Sequence, residues 1–209
     1  MRLLVPHRTA AVLAIAALLL IPRASRAQNP MPGMKAGMPG MDMKLPPVQI
    51  PKGAIFTEAD VRFMQGMIAH HAQAIYMSSM AVSHGAEPHL LKLAQKISQS
   101  QTAEIALMQG WLRANGQFAT DTSSWRHMMM PGMLTFDQLK QLDAARGKEF
   151  DRLFLTFMIQ HHEGALQMVK DLFAAPNAAQ DVDVSVFAND VHTVQTAEIG
   201  IMRQMLTTL

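Results

Sequence analysis

Two His-His pairs, His70-His71 and His161-His162, stand in nearly the same surroundings in this sequence. Met67 precedes the first pair and Met77 follows it; Met158 and Met168 flank the second in the same way. Downstream of each pair comes a run containing one carboxylate. These runs are Gln101-Thr-Ala-Glu104-Ile105 with Met108, and Gln195-Thr-Ala-Glu198-Ile199 with Met202. Imidazole nitrogen can move protons or bind metals. Thioether sulfur prefers soft ions, notably Cu(I), and imidazole suits copper in either oxidation state. The chain has no Cys, so a soft ion has only Met and His to hold it.

More sulfur lies outside these runs. Met-Pro-Gly-Met occurs three times, at Met31–Met34, Met38–Met41 and Met130–Met133, with Met43 beside the second copy and His127-Met128-Met129 leading into the third. Pro and Gly exclude a regular helix, so these methionines are expected outside the helical core, on flexible and exposed chain. Met31, Met34, Met38, Met41, Met43, His127, Met128, Met130 and Met133 are therefore accessory ligand candidates. Low-complexity drift is the plain alternative.

The elements that position these residues are helical. Thr57 with Asp60 resembles a capping box, and an apolar helical pattern runs from there to about Ser83, with Gly85 as the stop. Pro88 fits the first turn of a second helix that ends near Ala114, before Asn115-Gly116. Thr135 can cap a third segment, which Gly147 divides before a long helix to about Ala175. Pro176-Asn177 breaks the chain, and a last helix spans about Asp183–Leu206. No alternating pattern competes. The expected fold is all-α: an antiparallel four-helix bundle built from two hairpins.

The hairpins are an internal repeat. Shifting the chain by 91 residues lays Glu58, Asp60, Phe63, Met67, Ile68, His70, His71, Ala74 and Met77 on Glu149, Asp151, Phe154, Met158, Ile159, His161, His162, Ala165 and Met168. A shift of 94 superposes the Gln-Thr-Ala-Glu-Ile runs and lays Met108 on Met202. The bundle is expected over 54–209, with repeat one at 57–115, a linker at 116–134 and repeat two at 135–209.

At about 100° per residue, Phe63, Met67, His70, His71, Ala74 and Met77 share one broad apolar face. Gln101, Glu104, Ile105, Met108 and Leu112 share another. Each hairpin thus carries a carboxylate in an apolar stripe, and a buried carboxylate needs a partner. Counting from the turn puts His70 level with Glu104, and His161 level with Glu198. Two readings of this set stay open: a polar network that fixes helix register, or a metal site in each hairpin with Glu as ligand or as a prop for the rings. His84 and His89 flank the first turn and are expected in solvent.

Residues 1–27 read as a secretory signal: Arg2 and Arg8, an apolar run from Thr9 to Ile21, then Ser25 and Ala27 before Gln28. Residues 28–53 read as a flexible Met/Pro/Gly-rich tail. The whole chain carries +2 and a basic pI near 9.1. Arg2, Arg8, Arg23 and Arg26 leave with the signal. The remainder then has fourteen basic and sixteen acidic residues, net −2, which gives no basis for nucleic-acid binding. The mature chain is expected to be periplasmic or secreted and free of the membrane. No Gly-x-Ser-x-Gly, phosphate-cradling loop or nucleophilic triad is visible.

The pattern Met-Ile-x-His-His-x-x-Ala-x-x-Met, followed by Gln-x-x-Glu-Ile-x-x-Met, resembles the bacterial family called domain of unknown function 305. It occurs at Met67–Met77 with Gln101–Met108, and again at Met158–Met168 with Gln195–Met202. The resemblance implies an exported, ferritin-like four-helix bundle, and some members are linked to copper binding and tolerance.

The leading expectation is an exported copper protein rather than an enzyme: a chaperone or buffer for Cu(I), with Cu(II) and Ag(I) as related ions. A periplasmic copper transporter or oxidase would be its partner. Its ligands would come from His70, His71, His161, His162, Met67, Met77, Glu104, Met108, Met158, Met168, Glu198 and Met202. A ferritin-like di-metal oxidase is a second class, but it calls for Glu-x-x-His on facing helices, which the chain lacks. A helical envelope partner without metal is the third.

Overall fold

The first helix, α1 (Glu58–Ser79), starts where its own side chains satisfy its end. The Thr57 amide donates to Asp60 Oδ2 at 2.7 Å, and the Thr57 hydroxyl oxygen accepts from the Asp60 amide, closing the capping box. These are features of a computed structural model that describes residues 45–209. The expected signal and Met31, Met34, Met38, Met41 and Met43 lie outside the described residues. The described residues fall within one compact unit, Pro39–Leu209.

Helix α1 ends at Ser79, four residues before the expected Ser83; a turn follows to Gly85, whose φ of +71° suits a residue without Cβ. Helix α2 (Pro88–Ala114) has Pro88 in its first turn and Glu87 as its cap. A short helix α3 (Phe136–Ala144) carries a Thr135–Gln138 capping box. Gly147 separates it from α4 (Lys148–Ala174), and α5 (Val182–Leu206) begins at the Asp181 cap. No strand occurs among the described residues, and no helix there is long and apolar enough to cross a membrane.

The four long helices form the expected bundle. α1 packs on α2 and α4 on α5 as hairpins, and the hairpins join along α1 and α4. The repeat clamps itself reciprocally. Asp60, at the start of α1, accepts from the Ala179 amide in the α4–α5 turn at 2.6 Å. Its counterpart Asp151, at the start of α4, accepts from the Glu87 amide in the α1–α2 turn at 3.3 Å.

Helix α1 is buried on almost every side, because the linker covers the flank that the helices leave open. The sequence reading of an exposed third Met-Pro-Gly-Met is therefore corrected. Met128 and Met133 are buried, Met130 is half-buried, and His127, Met129 and Pro131 face solvent. Trp125, in a 3-10 turn at Ser124–Arg126, stacks on Tyr76 of α1 at 4.9 Å. Non-helical chain can be buried once its backbone polar groups find partners. The Gln73 side chain donates to the Leu134 carbonyl at 3.0 Å and accepts from its amide at 2.7 Å. Gln65 donates to the Phe118 carbonyl at 2.8 Å, and Gln160 to the Gly132 carbonyl at 3.2 Å.

The Met130–Met133 turn wedges against α4, backbone to backbone. Gly132 (φ +78°) meets Gly164, and a Cβ on either would collide with main-chain atoms of the other segment. Of the expected tail at 28–53, residues 28–44 lie outside the described residues. Residues 45–53 lie along the bundle: the Pro46 carbonyl accepts from Arg62, and the Gln49 carbonyl from Gln117 at 2.8 Å.

Gly164→Ala should cost about 3 kcal/mol or more in urea unfolding, since the clash is with backbone that has nowhere to go. Gly110→Ala is the matched control. It sits on an exposed part of α2 with open space around it, and should gain roughly 0.5–1 kcal/mol.

Candidate metal centre

His70 and His71 sit mid-helix on α1, and His161 and His162 mid-helix on α4. All four are fully buried. Consecutive helical residues point about 100° apart, so the two rings of each pair go to different neighbours. The first ring of each pair turns to the seam between hairpins. His70 and His161 face one another there, with ring centroids 3.8 Å apart and planes tilted by 41°. The second ring of each pair turns into its own hairpin. His71 Nε2–H donates to Glu104 Oε2 at 2.6 Å, and His162 Nε2–H to Glu198 Oε2 at 2.9 Å.

This changes the sequence reading by one residue. Glu104 and Glu198 pair with His71 and His162, not with His70 and His161. The paired residues are level along the bundle, as the distance from the turn requires, but the extra 100° of rotation selects the neighbouring ring. The two hairpins also meet in one continuous cluster of imidazoles rather than forming two isolated sites.

The halves of the cluster are not equal. His70 Nε2–H donates to the Pro131 carbonyl of the wedge at 3.1 Å. His161 receives no such carbonyl, and neither of its ring nitrogens finds a hydrogen-bond partner. The Nδ1 atoms of His70, His71 and His162 are likewise buried without partners. Glu198 is sealed, with Lys96 reaching it at only 3.7 Å, whereas the Glu104 side chain keeps 22% of its exposure. The Oε1 atoms of Gln101 and Gln195, one turn before each Glu, are also buried and unpaired.

Burial holds both seam imidazoles in the uncharged form. The His70 pKa is pushed down from 6.5 to about 3, first by loss of water and then by its neighbour His71. His161 lies well below the ordinary value for the same first reason, with His70 as the next cause. An uncharged ring with its N–H turned to a partner presents a lone pair on the other nitrogen, the form that binds metal. Leaving such polar atoms unmatched costs about 1–3 kcal/mol each. The set is thus nitrogen-rich and short of donors. Among the described residues no three His, Asp or Glu side chains converge as a ready group for an ion, so the imidazoles offer few nitrogens at any one point.

The expected sulfur ligands divide. Met67, Met77, Met108, Met158 and Met202 are fully buried core residues, and Met168 is nearly so. Met130 and Met168 come together at Gly66, and Met133 Sδ accepts from the Met130 amide at 3.3 Å. His84, expected in solvent, is buried with its Nε2 at 3.0 Å from the Asp143 carbonyl; His89 is exposed. The parts that the sequence reading missed are the Pro131 carbonyl, Gly66 and Lys96. Gly66 inside an apolar helix was the one available signal, since glycine there marks a close approach.

Fold and site together define a duplicated helical-hairpin protein with a buried histidine seam. The chain belongs to the family described as Domain of unknown function (DUF305), whose sequence model matches residues 60–206. No protein with a curated description matches it. Among solved structures it is similar to a DUF305 protein of Streptomyces coelicolor described as secreted. That protein is 28% identical over 72% of this chain and 93% of its own, with a TM-score of 0.64. A DUF305 fragment from Deinococcus radiodurans is also 28% identical, over 74% of this chain and 99% of its own, at 0.65. CopM in its Cu(II)-bound form is 30% identical, over 71% of this chain and 96% of its own, at 0.59. CopM has also been solved bound to Cu(I) and to Ag.

The depressed His70 and His161 set the direction of acid sensitivity. Between the folded value of about 3 and the unfolded 6.5, the unfolded chain takes up protons that the folded chain refuses. Stability is therefore full above that window and falls as pH drops through it. The thermal midpoint should fall on acidification from about pH 7 to 4, and fall less steeply in a His70→Asn, His161→Asn chain. An equally steep fall in both would remove these rings as the cause.

Proposed function

We propose that this chain is an exported copper-binding protein that holds Cu(I), acting as a periplasmic chaperone or buffer in copper homeostasis or tolerance. The carrying observation is the seam itself. Four buried imidazoles from both repeats line it with five ring nitrogens unpaired, and the two at the centre, His70 and His161, are in contact and held uncharged. A purely structural network would be built to satisfy those atoms. A cation with a preference for nitrogen and sulfur satisfies them instead.

The donor chemistry favours a soft, low-coordinate ion. The carboxylates at hand, Glu104 and Glu198, are each hydrogen-bonded to a ring, which suits a role in orienting His71 and His162. A di-metal oxidase needs several carboxylates converging on one place. The copper and silver complexes of CopM support the choice of ion. The signal-like first 27 residues and the secreted relative support export, and export makes a copper transporter or oxidase of the same compartment the fitting partner. Met31, Met34, Met38, Met41 and Met43 would serve capture.

Titration with Cu(I) against a chromophoric chelator tests this reading. The chain should withdraw copper from the chelator, and replacing all four seam histidines with Ala should weaken that by about tenfold or more. Ag(I) or Cu(I) should raise the thermal midpoint, with about 2.7 kcal/mol of stabilisation at a free concentration one hundred times Kd. No withdrawal and no shift would leave the seam a register-fixing network and would falsify the copper reading.

A further inference from the structure

Gly66 stands one helical turn before His70, on a helix where almost everything else is buried side chain. Glycine inside a helix costs roughly 0.5–1 kcal/mol relative to Ala, so its place calls for a reason. The space that a side chain would fill is taken by the ends of two methionines. A methyl group at Gly66 would lie 2.9 Å from Met130 Sδ and 3.4 Å from Met168 Cε. One thioether comes from the linker wedge and the other from α4, and both end at the same bare patch of α1.

Packing alone accounts poorly for Met130. It belongs to a non-helical turn and is only half-buried, and its sulfur lies over the bare backbone of Gly66. Beside it is a surface cavity of about 260 Å³ whose lining includes Phe63, Pro131, Met168, Arg62 and Asp171. The two charged residues balance, so the cavity presents no net charge to repel a cation. Pro131 connects this cavity to the seam, because it lines the cavity while its carbonyl accepts from His70 Nε2. Along α1, Gly66 and His70 are separated by about 6 Å of helix rise.

We propose that Met130 and Met168 form a two-thioether site for a soft monovalent ion at Gly66, placed between the surface cavity and the His70–His161 pair. Thioether sulfur is a neutral, polarizable donor that takes Cu(I) or Ag(I) and discriminates against Ca²⁺, Mg²⁺ and other oxygen-seeking ions. The proposal takes the ion from the copper reading above, but the thioether pair rests on its own geometry. It gives the seam a way in that does not cross the apolar core: cavity, sulfur pair, imidazoles.

The test is NMR of the full chain labelled at the methionine methyl carbons, titrated with Ag(I). Single Met130→Leu and Met168→Leu chains assign the two resonances. Both methyl signals should move in the wild-type chain, and a chain carrying both Leu substitutions should bind one Ag(I) fewer. Mg²⁺ should move neither. The same titration in a His70→Ala, His161→Ala chain separates the two ideas. Shifts that persist there support the sulfur site even if the seam binds nothing. The proposal is overturned if either methyl stays in place through saturation in the wild-type chain, if Mg²⁺ moves them equally, or if the shifts vanish with the two histidines.

Discussion

The interior of this bundle is organised around two imidazoles that touch across a boundary no water reaches. His70 and His161 lie 3.8 Å apart by ring centroid, and two charged rings at that distance inside a protein would repel strongly. They are tolerated because both are uncharged. Their surroundings follow from that need. Carboxylates are directed to the outer rings, His71 and His162, and a backbone carbonyl, which carries no net charge, is supplied to His70. The resulting centre is polar and rich in lone pairs, yet free of any hard anionic cage.

Duplication explains the symmetry of the frame, and the linker explains where the symmetry breaks. Asp60 and Asp151 are equivalent residues, and each ties the start of its own helix to the turn of the other hairpin. A hairpin alone could not make these bonds. Each half therefore depends on the other for its turn, and the helix pair α1–α4 is brought into register by the same contacts. The linker exists only once, between the repeats, so its contacts to the two halves cannot be equivalent. It gives His70 an acceptor that His161 lacks, and it gives Gly66 the Met130 sulfur. Repeat two is instead closed by Lys96 over Glu198. Two copies of one sequence pattern thus become chemically unequal.

The wedge at Met130–Met133 shows how a segment that cannot be helical is nonetheless made part of the core. Gly132 and Gly164 let backbone meet backbone, while Gln65, Gln73 and Gln160 bind the chain's amides and carbonyls. Buried glutamine is costly unless both ends of its amide are used, and Gln73 uses both on Leu134. The proposed copper chemistry and this packing meet at Pro131, whose neighbours supply sulfur on one side and whose carbonyl orients an imidazole on the other.

Much of the architecture was legible in the residues alone. Helical periodicity, the Thr57 and Thr135 caps, Pro88 and Gly147 located the elements, because caps and breakers act within a few residues of chain. The repeat placed His70-His71 beside Glu104 and His161-His162 beside Glu198, because hairpin geometry fixes level along the axis. Rotation was not legible. Which ring of a pair meets the carboxylate depends on how α1 turns against α2 and α4, and that is settled by packing around the whole helix. Burial of the linker was not legible for a related reason: Pro and Gly forbid a helix, but burial is decided by whether distant side chains satisfy the backbone. Sequence by itself determined the helices, their duplication and the kinds of donor atom available. Only the tertiary structure decided that the two histidine pairs share one seam, that Met130 and Met168 meet at Gly66, and that the halves differ, since those relations join residues far apart in the chain.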